Sequence, residues 1–273
     1  MDTFGELAGT ARACVAERER RVPLAQLKEA VRGAPACRDA AAALRSEGRA
    51  VTVIAEVKRA TATFADLSGV GDVAILAGFY AAGGAACVSV VTEPVRSNGR
   101  LADLDAVRAA VDVPVLVNDI VVTPYQVHEA RAHGADLLML DARLRPLILE
   151  SLIERTHSLG MAAVVQAHSQ GEAVTAVQTG ARYVAVDARD PETRQVDRSR
   201  FEQVAQVLPP TVTRIATGGV RGPHDVMSYA RAGADVVLVG EAVIRSVDPQ
   251  QFVAELVAAG SHPALHPTTY REG

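Results

Sequence analysis

The sequence of 273 residues predicts an α/β fold, the TIM (β/α)8 barrel, on three observations. After residue 50, short β-branched runs alternate with longer Ala-rich stretches. The runs are "VTVIAE" (51–56), "ACVSVV" (86–91), "PVLVND" (114–119), "DLLMLD" (136–141), "AAVVQA" (162–167), "RYVAVD" (182–187), "TRIAT" (213–217) and "DVVLVG" (235–240). Each is continuously apolar rather than alternating, as parallel strands covered on both faces are. The stretches between them end in a recurrent Gly-Ala pair, in "AAGGAAC", "AHGADLL", "QTGARYV" and "RAGADVV". The Gly suits the residue just past a helix C-terminus. Eight such units fill one barrel at this chain length. A doubly wound sheet is the alternative, but the units are regular and no second domain is evident.

Residues 1–50 precede the first strand, and 51–260 span the barrel. "LAGTARACVAERERRV", "LAQLKEAVRG" and "CRDAAAALRSEG" read as an N-terminal helical extension that caps the barrel floor or leans over its mouth. The tail, 261–273, is rich in Pro and polar residues and reads as irregular. The loop "RATATFADLSGVGDVA" (59–74) is long, with small residues, and suits a mobile lid.

Composition narrows the function. Hydrophobic residues make up 49%, enough for a large core, and no apolar run approaches the ~18 residues of a membrane span. The opening stretch lacks a signal peptide's apolar core. The formal charge is -4 with no long block of one sign, so nucleic-acid and membrane partners are not expected. Cys14, Cys37 and Cys87 are scattered and odd in number, which fits a reducing cytoplasm better than disulfides or zinc. The expected partner is a small phosphorylated molecule, and the expected state is a monomer or homodimer. No metal or cofactor is expected.

Barrel chemistry sits at the C-terminal strand ends. Those ends supply Glu56 and Lys58, Ser89 and Thr92, Asn118 and Asp119, Asp141, Gln166 and His168, Asp187 and Arg189, and Thr217. Glu56 and Lys58 are two apart, so an extended strand points both the same way. Such a pair does acid–base work, or is a structural ion pair. "TGGVRGPHD" (217–225) after strand seven and "LVGEAV" (238–243) after strand eight match the fold's usual phosphate site. Gly218, Gly219, Gly240 and Glu241, the last through its backbone, are the candidate phosphate residues; ordinary tight turns are the other reading. "HEARAH" (128–133) spaces its histidines by five, off the zinc pattern of four. "GVGDVA" (69–74) imitates a dinucleotide fingerprint without a strand leading into it.

Taken together, "RVPLAQL", "VIAEVKRA", "YAAGGAACVSVVTE", "PYQVHEARAHGADLL", "GVRGPHDV" and "AGADVVLVGEAV" resemble indole-3-glycerol phosphate synthases over nearly the whole chain. The resemblance implies a cofactor-independent lyase of the tryptophan pathway. That enzyme decarboxylates and cyclises carboxyphenylamino-deoxyribulose phosphate to indole-glycerol phosphate. The family's Glu-x-Lys of strand one stands here as Glu56 and Lys58, its Arg after strand six as Arg189, and its phosphate glycines as Gly219 and Gly240. Elsewhere the pattern departs. Its Arg-Lys-Asp-Phe on strand three is Val117-Asn118-Asp119-Ile120, its strand-five Glu is Gln166, and its strand-six Asn is Asp187. Its Glu-Ser-Gly on strand seven is Thr217-Gly218-Gly219, its Ser-Pro-Ser is Thr61-Ala62-Thr63, and a Phe after strand two aligns with Ser97. Asp141 stands where the family is apolar.

An amide cannot donate as an ammonium does or accept a proton as a carboxylate does, and each such loss typically slows a reaction by ~10²–10⁴-fold. The leading expectation is therefore a re-purposed relative. It would act on a phosphorylated, sugar-derived substrate by dehydration, isomerisation or ring closure in a specialised pathway. Glu56, Lys58, Asn118, Asp141, Gln166 and Asp187 are its candidate catalytic residues. Ser89, Asp119, Arg189 and Thr217 are its candidate substrate contacts. An authentic synthase with a rearranged acid–base set is the alternative, and a non-catalytic phosphate-ligand sensor or scaffold is the third reading.

Overall fold

The computed structural model describes residues 3–45, 50–60 and 71–265. Eight parallel strands close into a barrel, with β8 returning to β1. They are β1 (Thr52–Val57), β2 (Cys87–Val91), β3 (Val115–Asn118), β4 (Leu137–Asp141), β5 (Ala162–Ala167), β6 (Tyr183–Asp187), β7 (Thr213–Thr217) and β8 (Val236–Val239). Every predicted run carries one strand. The first helices are α1 (Phe4–Arg21), α2 (Leu24–Gly33) and α3 (Ala40–Ala43), followed after β1 by α4 (Val73–Ala82). Next come α5 (Leu101–Ala110), α6 (Pro124–Ala132), α7 (Pro146–Ser158), α8 (Gln170–Gln178) and α9 (Ser199–Ala205). After β7 stand α10 (Pro223–Arg231), the single turn α11 (Glu241–Ile244) and α12 (Pro249–Gly260).

The recurrent glycines do what their position demands. Gly84, Gly134, Gly180 and Gly233 follow α4, α6, α8 and α10 with φ of 91°, 86°, 93° and 92°. That left-handed state ends a helix and is disfavoured once a Cβ is present. The next strand then begins three residues on.

Alternation along each strand sorts the core. Ile54, Cys87, Leu116, Leu137, Met139, Val164, Ala185, Ile215, Val236 and Leu238 form one buried cluster inside the barrel. Val53, Ala55, Val57 and their counterparts pack outward under the helices. The same period of two carries the inward row upward to Glu56, Ser89, Asn118, Asp141, Gln166, Asp187 and Thr217. The apolar plug below them gives that polar layer a rigid base.

The N-terminal extension both leans over the mouth and caps the floor. α1 opens on a capping box between Thr3 and Glu6 and sets Phe4 and Leu7 on the mouth. Lower down, Arg18 pairs with Glu129 of α6 at 2.8 Å, and Tyr125 of α6 donates to the Val22 carbonyl at 2.9 Å. Ala40 and Leu44 then enter the interior cluster from below. Buried Asp136, just before β4, fastens that end, accepting from Arg38 N at 2.8 Å, Val115 N at 2.9 Å and Arg108 Nη1 at 2.6 Å. Of the expected irregular tail, Pro263–Leu265 form one 3-10 turn and residues 266–273 lie outside the described residues. The expected lid also falls largely outside them, at residues 61–70.

Candidate active site

A cavity of about 280 Å³ opens at the C-terminal strand ends. Its charged and polar lining includes Glu56, Lys58, Asn118, Asp119, Asp141, Gln166, His168, Asp187, Arg189, Thr217 and Glu241. Thr217 stands beside Asp187 in the β6–β7 register.

Glu56 is the most constrained of these groups. It is buried, with Lys58 Nζ 3.0 Å from Oε1, Asn118 Nδ2 donating to Oε2 at 2.8 Å and Ser89 Oγ at 3.2 Å. Burial alone would raise its pKa, but the Lys58 charge and the three donors outweigh burial and hold it below the usual carboxylate range. It is a fixed anion that aims Lys58. Ser89 corrects an expectation: it is fully buried in register with Glu56, does not line the cavity, and contacts the carboxylate rather than a substrate. Alternation gave its direction but not its depth.

On the opposite side, Gln166 and Asp187 are one unit. Gln166 Nε2 donates to Asp187 Oδ2 at 2.9 Å, and Arg189 N donates to Oδ1 at 2.9 Å. The resemblance implies Glu on β5 and Asn on β6. Here the amide is on β5 and the carboxylate on β6, the same two functional groups on exchanged strands, joined by this hydrogen bond. Beside this pair lies buried His168, with Nδ1 3.2 Å from Glu172 Oε2 and Nε2 3.4 Å from Gln166 Nε2. A carboxylate behind and an amide donor in front suit the tautomer carrying its proton on Nδ1. Burial would raise the Glu172 pKa, but bonds from His168 outweigh it and hold the carboxyl low.

Asp141 gains a partner that the sequence reading omitted. Arg143 grips it through Nε at 2.9 Å and Nη2 at 2.5 Å, and its own N–H donates to Oδ1 at 2.9 Å. The guanidinium also stacks 4.5 Å over the Phe4 ring. Both oxygens of Asp141 are engaged, so it positions Arg143 rather than standing ready as a base. Glu56-x-Lys58, Asp141-x-Arg143 and Asp187-x-Arg189 share one spacing, a signal in the sequence that would have found Arg143.

Asp119 lines the cavity but is held by its neighbours. It accepts from Ile120 N at 2.7 Å and Thr92 Oγ1 at 3.2 Å. Burial pushes its carboxyl up to about 6 against those bonds and the charge of Arg18.

The glycine turn has its carbonyls engaged and its N–H groups open. The carbonyl of Gly218 accepts from Tyr229 Oη at 3.0 Å, and that of Gly219 from Arg198 Nε at 2.9 Å. The N–H groups of Gly218, Gly219, Val220, Gly240 and Glu241 have no acceptor among the described residues. Gly218 has φ 81°, and a Cβ there would lie 2.3 Å from Asp187 Oδ1. A Cβ on Gly240 would lie 2.8 Å from Lys58 Nζ. These N–H groups and the Glu56–Lys58 pair are therefore contiguous. The Glu241 side chain, expected to act through its backbone, turns to Arg189 at 3.3 Å. Neither histidine of "HEARAH" joins the site: His133 pairs with Asp105 at 2.8 Å, and His128 is buried on α6.

Known proteins resemble this chain in sequence and in fold. The family model for indole-3-glycerol phosphate synthase matches residues 5–256. The chain belongs to the indole-3-glycerol phosphate synthase family. An indole-3-glycerol phosphate synthase of Beutenbergia cavernae is 52% identical over 266 residues, covering 97% of this chain and 98% of that one. One from Streptomyces griseus is 51% identical over 266 residues, with the same coverage. One from a Mycobacterium species is 54% identical over 254 residues, 93% of each chain. Among solved structures, 3-hexulose-6-phosphate synthase of Salmonella typhimurium has a TM-score of 0.65 at 17% identity, over 77% of this chain and 99% of that chain. Thiamine phosphate pyrophosphorylase of Pyrococcus furiosus has a TM-score of 0.60 at 17% identity, over 78% and 96%. These two share the fold. The chain is a lyase-type enzyme of this family. The relatives favour the synthase itself over the re-purposed enzyme that the substitutions suggest. No helix among the described residues is long and apolar enough to cross a membrane.

Proposed function

We propose that this enzyme is a synthase with a rearranged acid–base set, converting carboxyphenylamino-deoxyribulose phosphate into indole-glycerol phosphate. The observation that carries this reading is the Gln166–Asp187 hydrogen bond, 2.9 Å long. It accounts for two substitutions as one exchange, so a carboxylate base stays at the mouth and moves one strand along. In the reaction, the ring carbon bearing the carboxylate attacks the sugar carbonyl carbon, and one carbon dioxide and one water leave. Lys58, charged beside Glu56, protonates the carbonyl oxygen as the new bond forms and assists its later departure as water. Asp187 takes the proton released as the indole ring forms. The N–H groups of Gly218, Gly219 and Gly240 hold the phosphate, with Lys58 alongside.

A second reading, a changed reaction on a related phosphorylated substrate, has one specific observation behind it. Asn118 stands where the family pattern has a lysine, and its amide is spent on Glu56 at 2.8 Å. Only one ammonium therefore faces the substrate carbonyl.

Turnover of the carboxyphenylamino substrate by purified protein, followed by indole absorbance, tests the first reading. Product is expected, with Lys58→Met lowering kcat by ~10²–10⁴-fold. Wild-type protein no faster than Lys58→Met, with product appearing in Asn118→Lys, would leave the second reading standing.

A further inference from the structure

Arg96 and Arg194 line the mouth, yet neither has an ion pair or side-chain hydrogen bond among the described residues. Both sit on loops braced by a carboxylate. Glu93 accepts from the N–H groups of Val95, Arg96 and Ser97 at 2.8, 2.7 and 2.9 Å. Asp190 accepts from those of Glu192 and Thr193 at 3.0 and 2.8 Å and from Arg200 at 3.2 Å. An antiparallel bridge between Arg189 and Val196 closes the second loop. That loop holds Arg194 at φ 64°, a left-handed state that a residue with a Cβ resists. Such strain collects at ligand clamps.

Arg143 and Arg189 line the same cavity from β4 and β6. Partial enclosure, then the charges of Arg189, Arg96 and Arg143, lower the Arg194 pKa against the pull of Asp187. The nearby acids are already committed: Glu93 to its loop, Asp141 to Arg143, Glu241 to Arg189, and Asp187 to Gln166 and the Arg189 N–H. Ser97 and Ile120, where the family pattern has aromatic residues, also line the cavity.

We propose that Arg96, Arg143 and Arg194 form a second anion subsite. It receives a carboxylate or second phosphate of the substrate whose first phosphate rests on the glycine cradle. Substrates of this enzyme are then bis-anionic: phosphorylated acids or bisphosphates. The carboxylate of a carboxyphenyl group is one such anion, and an aliphatic phospho-acid carries another. The inference rests on the phosphate reading of Gly218, Gly219 and Gly240.

Calorimetric titration of the full chain tests it. The probes are phospho-acids of graded length, phosphoglycerate to phosphogluconate, each against its alcohol analogue, glycerol phosphate to sorbitol phosphate. At the length that spans the two sites, the acid should bind at least tenfold tighter than the alcohol. Arg96→Ala/Arg194→Ala should abolish that advantage and leave the alcohol phosphate unchanged. Arg194→Gly should lose the advantage while raising the melting temperature, because the strained φ is relieved. Alcohol phosphates binding as tightly as the acids at every length would overturn the subsite alone. Gluconate binding as tightly as phosphogluconate, with the arginine dependence kept, would overturn the phosphate reading instead. No binding by any probe would overturn both.

Discussion

The two sides of the mouth hold their chemistry differently. On the β8–β1 side, Glu56 is locked by Lys58, Asn118 and Ser89, and Gly240 leaves no room for a Cβ beside Lys58. One change there disturbs several contacts at once. On the β5–β6 side, Gln166 and Asp187 share a single hydrogen bond across neighbouring strands, a bond whose chemistry permits amide and carboxylate to trade places. A buried carboxylate with three donors stays put; a half-buried amide–carboxylate pair can move its charge by one strand without losing the bond. Counting residues lost from a family pattern overstates the damage when two of them are one pair.

The locked side should respond most strongly to a small change. Gly240→Ala places a Cβ 2.8 Å from Lys58 Nζ and 2.9 Å from Glu56 Oε1. The Lys58 end is flexible and Gly240 has a φ of −120°, so folding should hold while the ammonium shifts. Displacing a reacting group by about 1 Å costs ~10²-fold, and kcat should fall by that order with an unchanged melting temperature. A melting point lowered in step with activity would mean that the glycine serves packing alone.

A smaller effect sharpens the contrast from outside the pair. The Asp119 carboxyl is raised from 3.8 to about 6 by burial. Its folded value lies above its unfolded one, so it favours the folded state while protonated. That contribution is complete below the unfolded value and is lost as pH rises through about 6. Asp119→Asn stays neutral and can still accept from Ile120 N. Its stability relative to wild type should therefore climb between pH 4 and 6, by up to about 3 kcal/mol, and then level off. Denaturant midpoints across that range check this, and a gap that does not vary with pH would remove the buried-charge account of Asp119.

Much of this was legible in the sequence. Apolar runs and left-handed glycines are local signals, so all eight strands and four of the helix ends could be read directly. The period of two placed Glu56, Lys58, Asn118 and Asp187 at one mouth. Depth was not legible: Ser89 points inward but lies beneath Glu56. Pairing across strands was not legible either, because the Gln166–Asp187 bond joins residues that the pattern treats as separate substitutions. The path of the extension depends on Asp136 collecting Arg38 and Arg108 from distant segments, which no local pattern announces. Arg143 was within reach through its spacing from Asp141.

The central claim is that the carboxylate moved rather than vanished, and a double-mutant cycle on residues 166 and 187 tests it most directly. Turnover of the carboxyphenylamino substrate is measured in wild type, Gln166→Glu, Asp187→Asn and the double variant. Asp187→Asn should lose ~10²-fold or more by removing the base. Gln166→Glu should also fall, because it sets two carboxylates against each other. The double variant, which restores one amide and one carboxylate on exchanged strands, should recover most of the wild-type rate. If the two losses simply add, the pair is not a unit and the carboxylate was not carried from β5 to β6.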